Sequence, residues 1–243
     1  MDKLGFIEEV NENNWYEMVE KYGIKYADIF TKNRKYTIVT EENGKECSCY
    51  TISNGNAFDC PALKQGRCNV PCYGLKGCYR WDTPKINKEF QRYVLQYAPV
   101  SWLYDAIRHL ANNKRMKKGN RLTEVRFNEV SDLTQSLLDK IVTLSIMLAH
   151  YHEDTRHIKV FTYTKMANLD FSMASKVPNL CINTSQAINP VYENGNIYFA
   201  VDEATYDSIE ENDVVKKCNC DIACKKCGYC YEDNGFFIYA KIH

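Results

Sequence analysis

Along the middle of this chain, apolar residues recur first with a helical period and then with a period of two. From residue 84 to 98, Ile86, Phe90, Tyr93, Val94 and Tyr97 fall on one helical face. A second helix follows Pro99, with Trp102, Leu103, Ala106 and Leu110 apolar. Its basic end, Lys114, Arg115, Lys117 and Lys118, suits the negative pole of a helix dipole, and Gly119 and Asn120 break it. Residues 122–128 are short, alternating and β-branched, which predicts a strand. Ser131 or Asp132 is placed to cap the next helix, whose apolar positions include Leu137, Leu138, Ile141, Leu144 and Leu148. Further strands are predicted over 158–163, 179–184 and 196–201, a short helix over 165–175 and another over 202–211.

Strands alternating with helices predict an α/β fold with a mainly parallel sheet, open or curled into a partial (β/α) barrel. Ligands of such folds sit at the C-terminal ends of the strands. The tips expected there are polar throughout: Asn128-Glu129-Val130-Ser131-Asp132, Thr162-Tyr163-Thr164-Lys165, Asn183-Thr184-Ser185-Gln186 and Asp202-Glu203. Strand-to-helix loops are polar in any case because they supply caps. Four such tips in succession also suit a small polar ligand. The organisation expected is an N-terminal helical and strand segment at 1–46 and an α/β body at 47–215. A small C-terminal cysteine-rich metal-binding appendage follows at 216–243, fastened to the sheet by a strand at 236–240.

With 243 residues and 45% hydrophobic content the chain can build its own core. Basic and acidic residues balance at 31 each, so no overall field argues for nucleic acid or an anionic membrane. A local basic patch at 114–121 is the one feature that points the other way. Acids near the N-terminus replace the apolar run of a signal peptide, and no stretch approaches the roughly 18 apolar residues of a membrane span. The expectation is a protein of a reducing cytoplasm, where clustered cysteines favour metal over disulfides.

Eleven of the 12 cysteines fall in two short stretches, and Cys181, alone between them in an apolar strand, reads as core. In the first stretch, prolines and glycines place Cys60, Cys68, Cys72 and Cys78 on a loop. Three thiolates on a four-iron cluster leave one iron open, whereas four close it, so Cys78 is either a fourth ligand or a spare thiol. A structural zinc loop is the other use of such a stretch. The second stretch, Cys220-x3-Cys224-x2-Cys227-x2-Cys230, inverts the spacing of a bacterial ferredoxin run and suits a second [4Fe-4S] cluster or zinc. Cys218 is an alternative to Cys220, and Lys216, Lys217, Lys225 and Lys226 would offset thiolate charge. Cys47 and Cys49 read as an ordinary half-buried pair on a strand.

Cys60-Pro61-Ala62, Cys68, Cys72-Tyr73-Gly74, the Asn128 to Asp132 tip, Tyr163-Thr164-Lys165 and Cys224-x2-Cys227-x2-Cys230 together resemble the phage gene product 88 family, over roughly residues 50 to 232. That family in turn is similar to radical S-adenosylmethionine enzymes, which hold a four-iron cluster with three cysteines at the mouth of a partial (β/α) barrel. Their spacing of three then two is replaced here by seven then three, with Tyr73 after the last thiol. The resemblance implies that Cys60, Cys68 and Cys72 ligate a cluster and that Glu129 to Asp132 hold the cofactor's amino group. Asn183 and Ser185 would face its ribose or carboxylate, with Asn128, Thr164 and Lys165 completing the cofactor-binding set. It implies an iron–sulfur enzyme that binds S-adenosylmethionine, in the cytoplasm of a host cell, with a substrate the sequence does not name. The alternative is a non-catalytic metal-stabilised phage protein that binds a protein or nucleic-acid partner.

Overall fold

The computed structural model describes residues 1–33, 36–39, 45–67, 75, 81–113, 120–166, 168–185, 195–218, 228–231 and 235–241. Cys68, Cys72, Cys78, Cys220, Cys224 and Cys227, and the basic residues 114–118, lie outside the described residues.

Three short helices open the chain: α1 (Lys3–Glu9), α2 (Trp15–Tyr22) and α3 (Tyr26–Ile29). Asp2 caps α1 by accepting from Gly5 N at 3.0 Å, and Gly23 ends α2 in the left-handed region that glycine tolerates best. Strands β1 (Thr31–Lys32), β2 (Ile38–Val39) and β3 (Glu46–Ile52) follow, then a one-turn α4 (Pro61–Lys64). Helices α5 (Asp82–Tyr97) and α6 (Val100–Ala111) are separated at Pro99, whose missing N–H ends one helix and suits the start of the next. The rest runs β4 (Arg121–Phe127), α7 (Gln135–His150), β5 (Lys159–Thr164), β6 (Leu180–Ser185), β7 (Ile197–Val201), α8 (Glu203–Ser208), β8 (Val215–Cys218) and β9 (Phe237–Lys241).

The strands form one open sheet in the order β1-β3-β4-β5-β6-β7-β9-β8, with β2 also on β3. Pairing is antiparallel for β1 and β2 on β3 and parallel everywhere else. This is the mainly parallel α/β sheet the alternating pattern predicts. Among the described residues no pairing joins its two ends. From β3 to β7 the spatial order follows the chain order, and α5, α6 and α7 pack in one core with β3 to β6.

That helix-covered face supplies Ile52, Val125, Phe127, Val160, Leu180 and Ile182 to a core shared with Phe90, Val94, Ile107, Leu138 and Leu144. Phe6, Trp15 and Ile29 belong to the same core, so the described part of the N-terminal segment is not a separate unit. The opposite, inner face holds a smaller cluster of Tyr36, Cys49, Phe161 and Cys181, which makes Cys181 the core residue expected of it. Cys47 is half-buried while Cys49 is fully buried. Next to them the β3–β4 register shifts between Ser48 and Cys49, and Thr123 Oγ1 donates to Ser48 O at 3.3 Å.

The strand expected to fasten the C-terminal stretch to the sheet is β9, which pairs with both β7 and β8. Two expectations need correction. Among the described residues of 165–175 the expected helix is replaced by turns and a 3-10 turn at Ala174–Lys176. Side chains there take the amide protons that a helix would need: Thr164 Oγ1 accepts from Met166 N and Asp170 from Ser172 N. Finally, Thr134, not Ser131 or Asp132, caps α7, accepting from Leu137 N at 3.3 Å. No described helix is long and apolar enough to cross a membrane.

One polar contact locks two helices of the core face. Lys140 of α7 donates to the carbonyls of Leu95, Gln96 and Ala98 at 2.7, 3.1 and 2.9 Å, satisfying the end of α5. Lys140→Met keeps the stem and removes the donors. It should lower unfolding free energy by about 1.5–3 kcal/mol, the range for hydrogen bonds to a charged group. A urea midpoint unchanged from wild type would show that water satisfies these carbonyls equally well.

Candidate functional site

Strands β3 and β4 end side by side at Ile52 and Phe127, and Asn128 N extends the ladder by donating to Ile52 O at 2.9 Å. Beyond that point the backbone leaves ordinary geometry. Asn128 and Ser131 have φ of 58° and 74°, in the left-handed region, at a cost of order 1–3 kcal/mol each. Asn128 is only 3% exposed, yet among the described residues neither its Oδ1 nor its Nδ2 has a hydrogen-bond partner. Ser131 Oγ is likewise buried and unpartnered. Desolvating such groups without compensation costs about 1–3 kcal/mol apiece. Strain and orphaned polar atoms coincide at one strand tip, which is where a polar ligand would be expected to dock.

The surroundings of this tip are fully engaged. Lys88, buried on α5, donates to Glu129 at 2.8 Å and to Ser53 Oγ at 3.0 Å. Ser53 Oγ also accepts from Val130 N at 3.4 Å, and Asn54 Nδ2 donates to Asp132 O at 2.9 Å. Gln91, one turn beyond Lys88, accepts from Ser53 N and donates to Ile29 O. The Asp132 carboxylate accepts from Thr164 Oγ1 (2.6 Å), Leu133 N (2.7 Å) and Lys165 N (3.0 Å), tying the β4 tip to the β5 tip. Burial pushes this carboxyl above its ordinary range, against the opposing pull of those donors.

The residues expected to hold a cofactor thus divide. Asn128 and Ser131 have unpartnered polar atoms. Glu129 is expected to take a ligand's ammonium group, but its carboxylate accepts the ammonium of Lys88 instead. Asp132 and the Thr164 hydroxyl are spent on each other and on backbone amides, and Lys165 enters the tip through its N–H. Asn183 is fully buried, donates to Thr162 O and Cys230 O at 3.2 and 2.7 Å, and accepts from Asn196 at 3.2 Å. Ser185, half-buried, ends β6 two residues on. Sequence reading missed Lys88 and Gln91. Their signal was two polar residues spaced i, i+3 with buried Leu95 at i+7, at the edge of the α5 apolar stripe.

The two described cysteines of the expected ligand sets fall in different places. Cys60 lies in the helix-side core shortly after the β3 tip, at the start of α4. Cys230 lies across the sheet in a 3-10 turn, Tyr229–Tyr231, docked on the inner face against β5 and β6. There the Tyr163 and Tyr36 hydroxyls are 3.3 Å apart, and the Arg126 guanidinium lies over both rings at 5.0 and 5.4 Å. Desolvation, with Cys230 nearby, pushes the Tyr163 phenol well above its ordinary value. Among the described residues no three His, Cys, Asp or Glu side chains converge on one point.

The family model described as Gene product 88 matches residues 28–233, most of the chain. No curated protein and no solved structure matches it.

Two outcomes follow from the strand-tip geometry. Glu129→Ala should cost about 2–3 kcal/mol, less than the ~3–5 for breaking a fully buried pair because Glu129 is 24% exposed. Lys88→Met combined with it should recover about 1 kcal/mol or more; strictly additive losses would show the pair is uncoupled. Asp132 has a raised folded pKa, so its stabilising contribution is complete below the unfolded value near pH 4 and is lost as pH rises through the folded value. Wild type should therefore gain stability relative to Asp132→Asn as pH falls from 7 toward 4. A difference in urea midpoint that stays flat over this range would rule the buried carboxyl out as its source.

Proposed function

The chain belongs to the gene product 88 family, and from that premise we propose an iron–sulfur enzyme similar to radical S-adenosylmethionine enzymes, with a small polar cofactor bound at the β4 tip. The observation that carries this reading is the buried, unpartnered Asn128 amide, held on left-handed backbone at the tip next to the one that leads into Cys60. An open parallel sheet with strands in chain order is also the frame of a partial barrel, whose ligands sit at the C-terminal strand ends. Residues 28–233, the span of the family match, include Cys60, Cys68, Cys72 and Cys78 and the late cysteines through Cys230.

Thiols are the donor type a cluster needs, and Cys60 is buried at the start of α4. Cys60, Cys68 and Cys72 would hold it, with Cys78 as a possible closing ligand. With S-adenosylmethionine bound and an external one-electron donor, such a cluster would supply reductive cleavage chemistry. The chain's own part is positional. Asn128 offers one donor and one acceptor to the cofactor's polar groups, and Ser131 offers a hydroxyl. Lys88 and Glu129 pin the loop rather than contact the ligand, and Asp132 fixes its far end to β5.

One observation favours a second reading, a metal-stabilised protein without catalysis that binds a protein or nucleic-acid partner. Glu129, Asp132, Thr164 and Asn183 are all committed to internal bonds. The test uses full-length protein purified anaerobically. About four irons and matching sulfide at the early cysteines, with heat of S-adenosylmethionine binding by calorimetry, support the enzyme. Asn128→Gly tests the site itself, because glycine adopts this φ without strain. It should leave stability equal to or above wild type while weakening cofactor binding at least about tenfold, as expected from lost buried hydrogen bonds. Unchanged affinity would move the cofactor elsewhere. No heat at millimolar cofactor with iron-loaded wild type would leave the non-catalytic reading.

A further inference from the structure

Strand β8 ends at Cys218, which pairs in register with Ala240 of β9 and is 6% exposed. Cys230, 5% exposed, returns to the same small cluster, where both thiols pack with Ile238 and Ala240 beside Tyr163 and Tyr198. The sequence between them carries Cys220, Cys224 and Cys227. Two buried thiols can serve as small apolar side chains and then need no polar support. Here the turn bearing Cys230 is clamped by polar groups. Asn183 Nδ2 donates to Cys230 O at 2.7 Å and Asn196 Nδ2 to Tyr229 O at 2.8 Å, and both asparagines are fully buried. Asn196 also donates to Asn183 at 3.2 Å and accepts from Phe236 N at 3.0 Å, so the clamp is a closed network.

Burying two amide side chains to fix the backbone of one short turn is the arrangement expected around a residue whose position must be held. Buried ligands to metals are oriented in this way by a surrounding layer of hydrogen bonds. The charge nearby has the matching sign. The Lys216 ammonium lies over the rings of Tyr229 and Phe236 at 5.7 and 5.3 Å, and the Arg126 guanidinium lies over Tyr163. Both cations lie over rings that pack with the two thiols, where positive charge would offset that of metal-bound thiolates.

We infer that Cys218 and Cys230 are both ligands of one thiolate-bound metal centre, seated on the inner face of the sheet against Tyr163. This inference rests on reading the late cysteines as metal ligands, and it assigns Cys218, the last residue of β8, to the set. The centre is part of the sheet's inner core and not a separate knuckle. Zinc and an iron–sulfur cluster share the thiolate chemistry, and the metal count tells them apart.

Full-length protein purified anaerobically is assayed for zinc, iron and sulfide as wild type, Cys218→Ser, Cys230→Ser and Cys181→Ser. The two ligand variants should lose the late centre equally, either zinc or about four irons with sulfide, while Cys181→Ser keeps wild-type content. Cys218→Ser with full metal content beside a depleted Cys230→Ser would overturn the assignment and leave the metal reading standing. Wild type with neither metal would overturn both. Because a serine variant can fail to fold, wild type itself is alkylated before and after chelation, with sites mapped by mass spectrometry. Cys218 and Cys230 should react at least tenfold faster after metal removal, with Cys181 unchanged. Equal rates for Cys218 with and without chelator would count against its being a ligand.

Discussion

A parallel sheet has to bury both faces, because its crossovers and its apolar strands leave neither suited to water. Among the described residues the helical core covers one side of the sheet. Helices α5, α6 and α7 and the three N-terminal helices pack one core against β3 to β6. The other side is closed by different means: Tyr36 from the strand edge, Tyr163 and Tyr198 from the sheet, Arg126 between two rings, and the turn around Cys230. Polar atoms brought onto this inner face need partners there. Asn183 and Asn196 find theirs in the backbone of the incoming turn, which makes the C-terminal stretch part of the fold.

The strand tips are where the same requirement gives out. Inside the sheet the ladder pairs backbone groups of β3 and β4, but after Asn128 N that ladder ends and the chain turns through two left-handed residues within four positions. Lys88, Ser53, Gln91, Asn54 and Asp132 hold that turn from three sides. A network this complete around an amide with no partner means that the unsatisfied position is rigid. Rigidity of this kind is what a binding site on a scaffold needs, since a ligand then meets groups already in place. The paired Lys88 and Glu129 belong to the frame, which is why the carboxylate that looked like a ligand contact is internal.

What the sequence determined by itself was whatever depends on neighbours along the chain. Strands β4, β5, β6, β7 and β9 and helices α5 to α7 carry their own period of two or 3.6, and the structure places them within a few residues of the predicted spans. Cys181 was legible as core because its strand is apolar around it, and the Asn128 to Asp132 tip because it follows an unmistakable strand. Tertiary structure decided what depends on partners distant in sequence. Lys165 N is bonded to Asp132, 33 residues before it, and the Glu129 carboxylate pairs with Lys88, 41 residues away. Asn183 went to a turn 47 residues downstream. Strand β8, four residues with two lysines, has no period to announce it and exists because β9 offers an edge. Side-chain periodicity reports which face a residue occupies, but a buried polar group is assigned its role only by the particular donor or acceptor that folding brings to it.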